Sequence, residues 1–173
     1  DNGGTMPTRI VVLAAGLGKR MNSSLPKVLH TVGGKPMLNR VLDVVAPLSD
    51  LPPIVVHGSN GDILKATLPN RQVSWVLQSE QRGTGHAVLQ ALPELENSDL
   101  VLIVCADVPL IKTETLRCLT EKAKNAEGFS VLTVKLEQPE GYGRIFRNKN
   151  GGVEKIVETI DLDESDRNIK ECN

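Results

Sequence analysis

The sequence of 173 residues is poor in aromatic side chains, with one Trp, one Tyr and two Phe. Because 40% of the residues are nevertheless hydrophobic, the core has to be built mainly from aliphatic side chains. The length is sufficient for one domain with a substantial core.

Cysteine is also scarce, and Cys105, Cys118 and Cys172 are odd in number and far apart in the sequence. They fit neither the paired spacing of a zinc site nor a disulfide framework, and no histidine joins them at metal-ligand spacing. The thiols are therefore expected to be reduced, and the protein is expected to be cytoplasmic.

Long apolar runs and excess charge are missing as well. No run approaches the roughly 20 apolar residues needed to cross a bilayer, so we expect no membrane insertion. The net charge of −1 gives no general basic field for nucleic acid, and any phosphate site has to come from local clustering. No signal peptide is evident, and the polar Asp1–Thr5 is interpreted as a cloning remnant before a native Met6.

The chain does contain short apolar runs that alternate with helical patterns through about residue 130. This alternation predicts an α/β fold, with a mostly parallel sheet flanked by helices and a β-hairpin near the C-terminus. No repeat or linker interrupts it, so a single domain is expected over residues 6–173. The predicted strands are Ile10–Leu13, Ile54–His57, Val73–Leu77, a central Leu100–Cys105, Phe129–Leu136, and the hairpin pair Arg144–Arg147 and Val153–Val157, followed by an irregular tail over Asp161–Asn173.

A glycine loop follows the first predicted strand, at the strand end where parallel sheets bind ligands. Gly16 and Gly18 allow close approach to the backbone, and Arg20 and Lys27 supply fixed cations. Backbone N–H groups together with these cations predict a polyphosphate site. The alternative interpretation is an ordinary strand–helix turn with two surface cations.

Two better-known phosphate loops are excluded by a required residue. A dinucleotide fingerprint needs a glycine where Met21 stands, and a P-loop needs Ser or Thr where Arg20 stands.

Asp107 follows the strongly apolar Leu100–Cys105. A carboxylate at this strand end suits a Mg²⁺ ion bound to phosphate, because magnesium takes only one or two protein carboxylates. A turn or N-cap aspartate is the alternative.

The loop after the third strand combines Gln78, Gly83 and Thr84. A Gln amide carries both a donor and an acceptor, so it can match one edge of uracil. The alternative is a polar loop with a helix N-cap at Thr84. His86 is interpreted as a structural helix residue.

Gly143 lies where the sheet pattern changes to a hairpin, and Glu158 ends the last apolar strand. Gly143 could present its N–H to a ligand, and an ordinary turn is the alternative.

Several separate motifs occur in this sequence in the same order and at the same spacing as in one known family. Together they resemble the N-terminal uridyltransferase domain of the bacterial bifunctional N-acetylglucosamine-1-phosphate uridyltransferase/glucosamine-1-phosphate acetyltransferases, among the sugar-nucleotide pyrophosphorylases. The motifs are Leu25-Pro26-Lys27-Val28-Leu29-His30, Trp75-Val76-Leu77-Gln78, Gly83-Thr84-Gly85-His86-Ala87, Asp107-Val108-Pro109-Leu110, Leu132-Thr133-Val134, Gly141-Tyr142-Gly143-Arg144-Ile145 and Ile156-Val157-Glu158.

The resemblance implies a Rossmann-like fold of the nucleotide-diphospho-sugar transferase type and a role for each matching residue. Arg20, Lys27 and Asp107 would be catalytic, with the two cations on phosphate and Asp107 on Mg²⁺, the implied cofactor. The other implied contacts are Leu13, Ala14, Ala15 and Gly16 with uridine, Gly18 in the phosphate loop, Gln78, Gly83 and Thr84 with uracil, and Gly143, Glu158 and Asn173 with N-acetylglucosamine.

The sequence departs from the family pattern in several places. Lys19 replaces a usual Ser or Thr, Cys105 stands where the family often has an aromatic residue, and Ala106 stands in place of Gly. The family domain continues beyond Asn173, where an asparagine supplies a second magnesium ligand. The acetyltransferase half, through which a full-length relative is expected to form a homotrimer, has no counterpart in this sequence.

The implied reaction joins UTP and N-acetylglucosamine 1-phosphate to give UDP-N-acetylglucosamine, a cell-wall precursor, and pyrophosphate. Since the domain in this sequence is C-terminally incomplete, it is expected to bind the nucleotide, with or without catalysing the reaction. Two alternatives stay open, namely a nucleotidyltransferase for another sugar phosphate and a nucleotide-binding module without catalysis.

Overall fold

The computed structural model describes residues 7–16, 25–96, 100–125 and 128–173. Within the chain, contacts separate two units, Asp1–Asn125 and Ala126–Asn173. Two predicted site residues, Gly18 and Arg20, lie outside the described residues, as does Lys19. The single domain over residues 6–173 stays a prediction.

The described part of the first unit alternates strands and helices, as the sequence pattern predicts. Short 3₁₀ turns at Lys27–Leu29, Ala46–Leu48 and Leu92–Glu94 join several of them. The elements are β1 (Thr8–Leu13), β2 (Thr31–Val32), β3 (Lys35–Pro36), α1 (Met37–Val45), β4 (Ile54–His57), α2 (Gly61–Ala66), β5 (Ser74–Leu77), α3 (Thr84–Ala91), β6 (Leu100–Cys105) and α4 (Thr113–Lys124).

Four of these strands form a parallel sheet in the order β5–β4–β1–β6. Val12 of β1 stands between Val55 of β4 and Val104 of β6. The parallel sheet is therefore confirmed, but the central position predicted for Leu100–Cys105 is wrong, because β6 lies at one end of this sheet. An apolar run indicates burial, and β1 and β4 are at least as buried as β6.

Side chains of the sheet pack against helices on both faces. Val12 and Val55 join one apolar cluster with α1 and α4, whereas Val11 and Val56 join a second cluster with α3. On α1, Leu38, Val41, Leu42 and Val45 are fully buried at the spacing of one helix face. On α3, Ala87 and Ala91 are small and lie one turn apart, so this helix can approach the sheet closely.

The second unit contains a four-stranded antiparallel sheet. Its strands are β7 (Val134–Lys135), β8 (Arg144–Arg147), β9 (Val153–Val157) and β10 (Glu171–Cys172), in the order β7–β10–β8–β9. The predicted hairpin of β8 and β9 is confirmed, and its turn closes with the Asn148 N–H donating to the Gly152 carbonyl at 2.9 Å.

Two expectations for the second unit are wrong. Of the fifth strand predicted over Phe129–Leu136, only Val134–Lys135 is a strand, and it pairs antiparallel with β10. Phe129 is 73% exposed, so this apolar run does not mark a buried strand. The tail predicted to be irregular contributes β10, which lies between β7 and β8.

Across the described ranges, no helix is both long and apolar enough to cross a membrane.

Candidate active site

A cavity of about 450 Å³ lies where the carboxyl ends of β1, β5 and β6 meet in the first unit. This is the position at which parallel sheets bind ligands. The lining includes eight of the residues predicted from the sequence: Leu13, Ala15, Gly16, Lys27, Gln78, Gly83, Thr84 and Asp107.

Ala14 belongs to the same loop but is not part of this lining. Its N–H donates to the Val56 carbonyl at 2.8 Å, and the preceding carbonyl, of Leu13, accepts from the Ala106 N–H at 2.9 Å. These two bonds extend the sheet pairing past the end of β1 and fix the path of the loop. The uridine contact predicted for Ala14 stays a prediction.

Lys27 and Asp107 form an ion pair at the cavity. The Lys27 Nζ lies 2.7 Å from the Asp107 Oδ2, and the two side chains are 40% and 39% exposed. At this exposure an ion pair contributes little to stability. Both charged groups remain accessible to a ligand in the cavity.

Neighbouring apolar residues hold the two charges in place. Val28 and Leu29, directly after Lys27, are buried in the core and anchor the short 3₁₀ turn that begins at Lys27. Ala106 is fully buried between β6 and Asp107. The sequence therefore fixes the backbone on each side of the pair and leaves the two charged side chains free to reach a ligand.

The loop from Gln78 to Thr84 forms another part of the lining. The Gln78 N–H donates to the His57 carbonyl at 2.8 Å, which continues the pairing of β5 with β4. Gly83 has φ of +96°, a conformation that disfavours other residues, and it is the N-cap of α3. The N-cap considered for Thr84 is therefore wrong, since Thr84 is the first residue of the helix.

Gln81 is a lining residue that the sequence reasoning missed. Its Nε2 donates to the Ala15 carbonyl and so ties the Gln78–Thr84 loop to the glycine loop after β1. Gly58 makes this contact feasible, because a Cβ at that position would lie 2.9 Å from the Gln81 Nε2. The presence of a second glutamine in the same polar loop as Gln78 could have indicated this residue from the sequence.

Cys105 also lines the cavity, at the end of β6. Desolvation by its surroundings and the charge of Asp107 raise the pKa of the Cys105 thiol, while Lys27 acts in the opposite direction. The thiol is therefore neutral at pH 7, and it is a poor nucleophile in that form.

The residues present fit Mg²⁺ through Asp107 alone. The described residues hold no group of three or more His, Cys, Asp or Glu side chains that could bind a metal by themselves. Magnesium often takes one protein carboxylate and completes its shell with water and substrate phosphate oxygens. An accessible carboxylate beside a lysine suits that mode of binding.

The second unit contains the remaining predicted site residues, and it brings two of them together. A Cβ on Gly143 would lie 2.5 Å from the Asn173 Oδ1 and 3.3 Å from the Val157 carbonyl oxygen. Gly143 is buried, so a larger residue there would displace Asn173. Glu158 directly follows β9 and is exposed.

Comparison with known proteins defines the class of this domain. The family model of the MobA-like NTP transferase domain matches residues 10–149, and the chain belongs to this family. The domain is thus of the nucleotidyltransferase class.

Curated relatives show more specifically which nucleotidyltransferases this chain is similar to. The bifunctional protein GlmU of Aromatoleum aromaticum is 48% identical over 164 residues, which cover 95% of this chain and 36% of the relative. GlmU of Legionella pneumophila is 46% identical over 170 residues, covering 96% of this chain and 37% of the relative. The resemblance predicted from the motifs is confirmed, and the chain spans a little over a third of the length of these relatives. The family and these relatives support the class of sugar-phosphate nucleotidyltransferases.

Solved structures share the fold at low sequence identity. A UDP-glucose pyrophosphorylase complexed with UDP-glucose has a TM-score of 0.78 and 18% identity, covering 96% of this chain and 74% of that one. A putative glucose-1-phosphate thymidylyltransferase from Bacillus anthracis has a TM-score of 0.77 and 19% identity, and the match covers 95% of this chain and 68% of that one. The predicted α/β fold of nucleotide-sugar transferases is therefore confirmed.

Proposed function

We propose that this domain transfers uridylyl from UTP to N-acetylglucosamine 1-phosphate, giving UDP-N-acetylglucosamine and pyrophosphate for cell-wall synthesis in the cytoplasm. The observation that carries the proposal is the Lys27–Asp107 pair in a cavity that also contains the Gln78 amide. A cation and a carboxylate suit a nucleotide's phosphates, and a buried amide suits its base. The relationship to GlmU supports the choice of sugar.

The reaction is an in-line displacement at the α-phosphorus of UTP. A phosphate oxygen of the sugar phosphate forms the new bond to this phosphorus, and the bond to the β-phosphate oxygen breaks, so that pyrophosphate leaves. No covalent enzyme intermediate is required. The protein's contribution is then to position the two phosphates and to balance their negative charge.

Lys27 would donate from Nζ to a phosphate oxygen, and its buried neighbours keep the ammonium group within reach of the cavity. Asp107 would hold Mg²⁺, which when bound neutralises phosphate charge. Arg20, Gly18 and the N–H groups of Ala15 and Gly16 would complete the phosphate site. Among the described residues, no backbone carbonyl accepts a hydrogen bond from those two N–H groups.

The remaining roles come from the resemblance. Leu13, Ala14, Ala15 and Gly16 would contact uridine with their backbone, and Gln78, Gly83 and Thr84 would surround the uracil. Gly143, Glu158 and Asn173 would contact the N-acetylglucosamine. The contact between Gly143 and Asn173 supports a joint role for these two residues.

The test replaces Lys27 by Met, which keeps most of the side-chain length and removes the charge. UTP affinity is measured by titration calorimetry, and pyrophosphate release is followed with the sugar phosphate present. Since a hydrogen bond to a charged group contributes about 1.5–3 kcal/mol, Lys27→Met should weaken UTP binding by roughly tenfold to a hundredfold.

Lys122→Met is the matched control, because Lys122 is exposed on α4 and does not line the cavity. It makes the same change of net charge and should leave the affinity within about twofold. Equal affinities for the Lys27→Met variant and the unmodified protein would contradict the role of Lys27.

A further inference from the structure

Gln81 links the loop after β5 to the glycine loop after β1, across the end of β4. In the sheet, β4 lies between those two strands, so the Gln81 side chain has to pass over Gly58, the residue that follows β4. Its Nε2 donates to the Ala15 carbonyl, and a Cβ on Gly58 would lie 2.9 Å from that nitrogen. Gly58 is not among the glycines with positive φ, so a side chain there would disturb this link rather than strain the backbone.

Hydrogen bonds of the main chain set the position of Gln81 in its loop. The Gln78 N–H donates to the His57 carbonyl at 2.8 Å, which fixes the start of the loop beside β4. The Arg82 N–H donates to the Glu80 carbonyl at 3.0 Å and closes a three-residue turn with Gln81 at its centre. The side chain that reaches Ala15 therefore projects from a backbone that is itself held in place.

The bond from Gln81 orients the peptide between Ala15 and Gly16. A carbonyl oxygen only accepts hydrogen bonds, so the amide presents Nε2 and not Oε1 to Ala15. The Ala15 oxygen is turned towards β4, since a Cβ on Gly58 would lie 3.4 Å from this oxygen and 3.9 Å from the Ala15 Cα. In a trans peptide the C=O and the N–H point in opposite directions, so the Gly16 N–H points away from β4.

That direction leads to the part of the cavity that contains the ion pair. Because β1 lies between β4 and β6, the side away from β4 is the side of β6, which Asp107 closely follows. Gly16 lines the cavity together with Lys27 and Asp107, and among the described residues no group accepts from the Gly16 N–H. An unpaired N–H near a lysine is suited to a phosphate oxygen.

We propose that Gln81 is a positioning residue for the nucleotide's phosphates, which sets the peptide between Ala15 and Gly16 so that the Gly16 N–H donates to a phosphate oxygen. The inference rests on the proposed function, which supplies the phosphate site, and adds the residue that orients the backbone of that site. Gln81 acts through Ala15 and needs no contact with the nucleotide.

The test compares the binding of UDP and of uridine to the whole chain by titration calorimetry, with uridine measured in competition with UDP. The two ligands share the base and the ribose, so the ratio of their affinities isolates the phosphates. Gln81→Met removes the donor at similar side-chain length and without adding a charge. Gln72→Met is the matched control, because Gln72 is exposed and does not line this cavity. Thermal unfolding checks that each variant folds.

In the Gln81→Met variant nothing holds the Ala15 carbonyl towards β4, so the Gly16 N–H is no longer directed at the phosphate. UDP affinity should fall by about threefold to tenfold, the value of one hydrogen bond, and uridine affinity should stay within about twofold. Gln72→Met should change neither affinity.

Gly58→Ala tests the same bond from its other side. The new Cβ would displace the Gln81 amide from Ala15, so this substitution alone should also weaken UDP binding. In a variant that already carries Gln81→Met there is no such bond left to break. The double variant should therefore bind UDP about as tightly as Gln81→Met alone, because substitutions that remove one shared interaction do not add.

Four results would overturn the inference, and they separate it from the proposed function. If the unmodified protein does not bind UDP, the proposed function and the role of Gln81 both fail. If UDP binds and Gln81→Met retains the affinity, only the role of Gln81 fails. Equal losses of UDP and uridine affinity would show that Gln81 supports the loop without acting on the phosphates. Multiplied effects of Gly58→Ala and Gln81→Met in the double variant would exclude the shared bond as their cause.

Discussion

Cys105 is the individual residue that reports most directly on the charges of the cavity. Desolvation and the Asp107 carboxylate raise the pKa of its thiol, and Lys27 lowers it. Since only the thiolate reacts readily with alkylating reagents, the alkylation rate at a fixed pH follows this balance.

We therefore predict opposite effects from the two members of the ion pair. Asp107→Asn should lower the pKa of Cys105 and speed its alkylation by iodoacetamide at pH 8. Lys27→Met should raise the pKa and slow the reaction, each by about twofold to fivefold, as for partly exposed charges.

The measurement is the rate of carbamidomethylation of the Cys105 peptide by mass spectrometry. Cys118, exposed on α4, reacts in the same sample and should be unaffected by either substitution. The same change in rate for both variants would contradict the opposing roles given to Lys27 and Asp107.

At the residue scale, the sequence was sufficient to predict which charged and polar side chains lie near the carboxyl ends of the strands. Lys27, Gln78 and Asp107 all line the cavity as expected. It was not sufficient to predict that Gln81 lines the cavity, or that the Gln78 Nε2 lies 3.0 Å from the His86 Nδ1. Those contacts depend on how a loop returns towards a helix and towards β1, which local spacing does not specify.

At the scale of elements, Glu171 joins three strands of the second unit. It lies in β10 and accepts hydrogen bonds from Arg147 at the end of β8 and from Thr133 just before β7. The Arg147 contact, followed by that of Thr133, lowers the pKa of Glu171 from 4.5 to about 2.

This shift predicts how the stability of the second unit changes with pH. Because the folded pKa is lower than the unfolded value, the contribution of Glu171 is present above about pH 4.5 and is lost as the pH falls towards 2. Glu171→Gln should destabilise the unit at pH 7, and the difference from the unmodified protein should shrink as the pH falls from 4.5 to 2.

Urea unfolding followed by circular dichroism at pH 7, 4.5 and 3 measures this difference. Glu154→Gln provides the matched control and should show no such trend, because Glu154 is exposed on β9, which pairs with β8 and not with β10. A constant gap between the Glu171→Gln variant and the unmodified protein at all three pH values would show that the ion pair with Arg147 does not cause it.

Strand and helix positions were largely predictable from periodicity, whereas strand partners were not. The strands Ile54–His57 and Leu100–Cys105 and the hairpin of β8 and β9 appear with the predicted bounds. The order of the sheet and the pairing of Val134–Lys135 with β10 depend on contacts between residues far apart in sequence. An apolar run indicates that a segment can be buried, but it does not indicate which strand it pairs with.

At the scale of the whole molecule, the family model defines a nucleotidyltransferase domain, and solved structures share its fold. The chain spans a little over a third of the length of the GlmU relatives, so its binding properties have to be measured on the chain itself.

Titration calorimetry of the chain with UDP-N-acetylglucosamine, with and without Mg²⁺, tests the central claim most directly. UDP-N-acetylglucosamine, the proposed product, is the suitable ligand because it can bind without turnover. NAD is the control, since the glycine loop lacks the dinucleotide fingerprint. We predict saturable binding of the uridine sugar, an effect of Mg²⁺ that Asp107→Asn abolishes, and no binding of NAD. Binding of NAD as tightly as the uridine sugar, or binding of neither, would contradict the account.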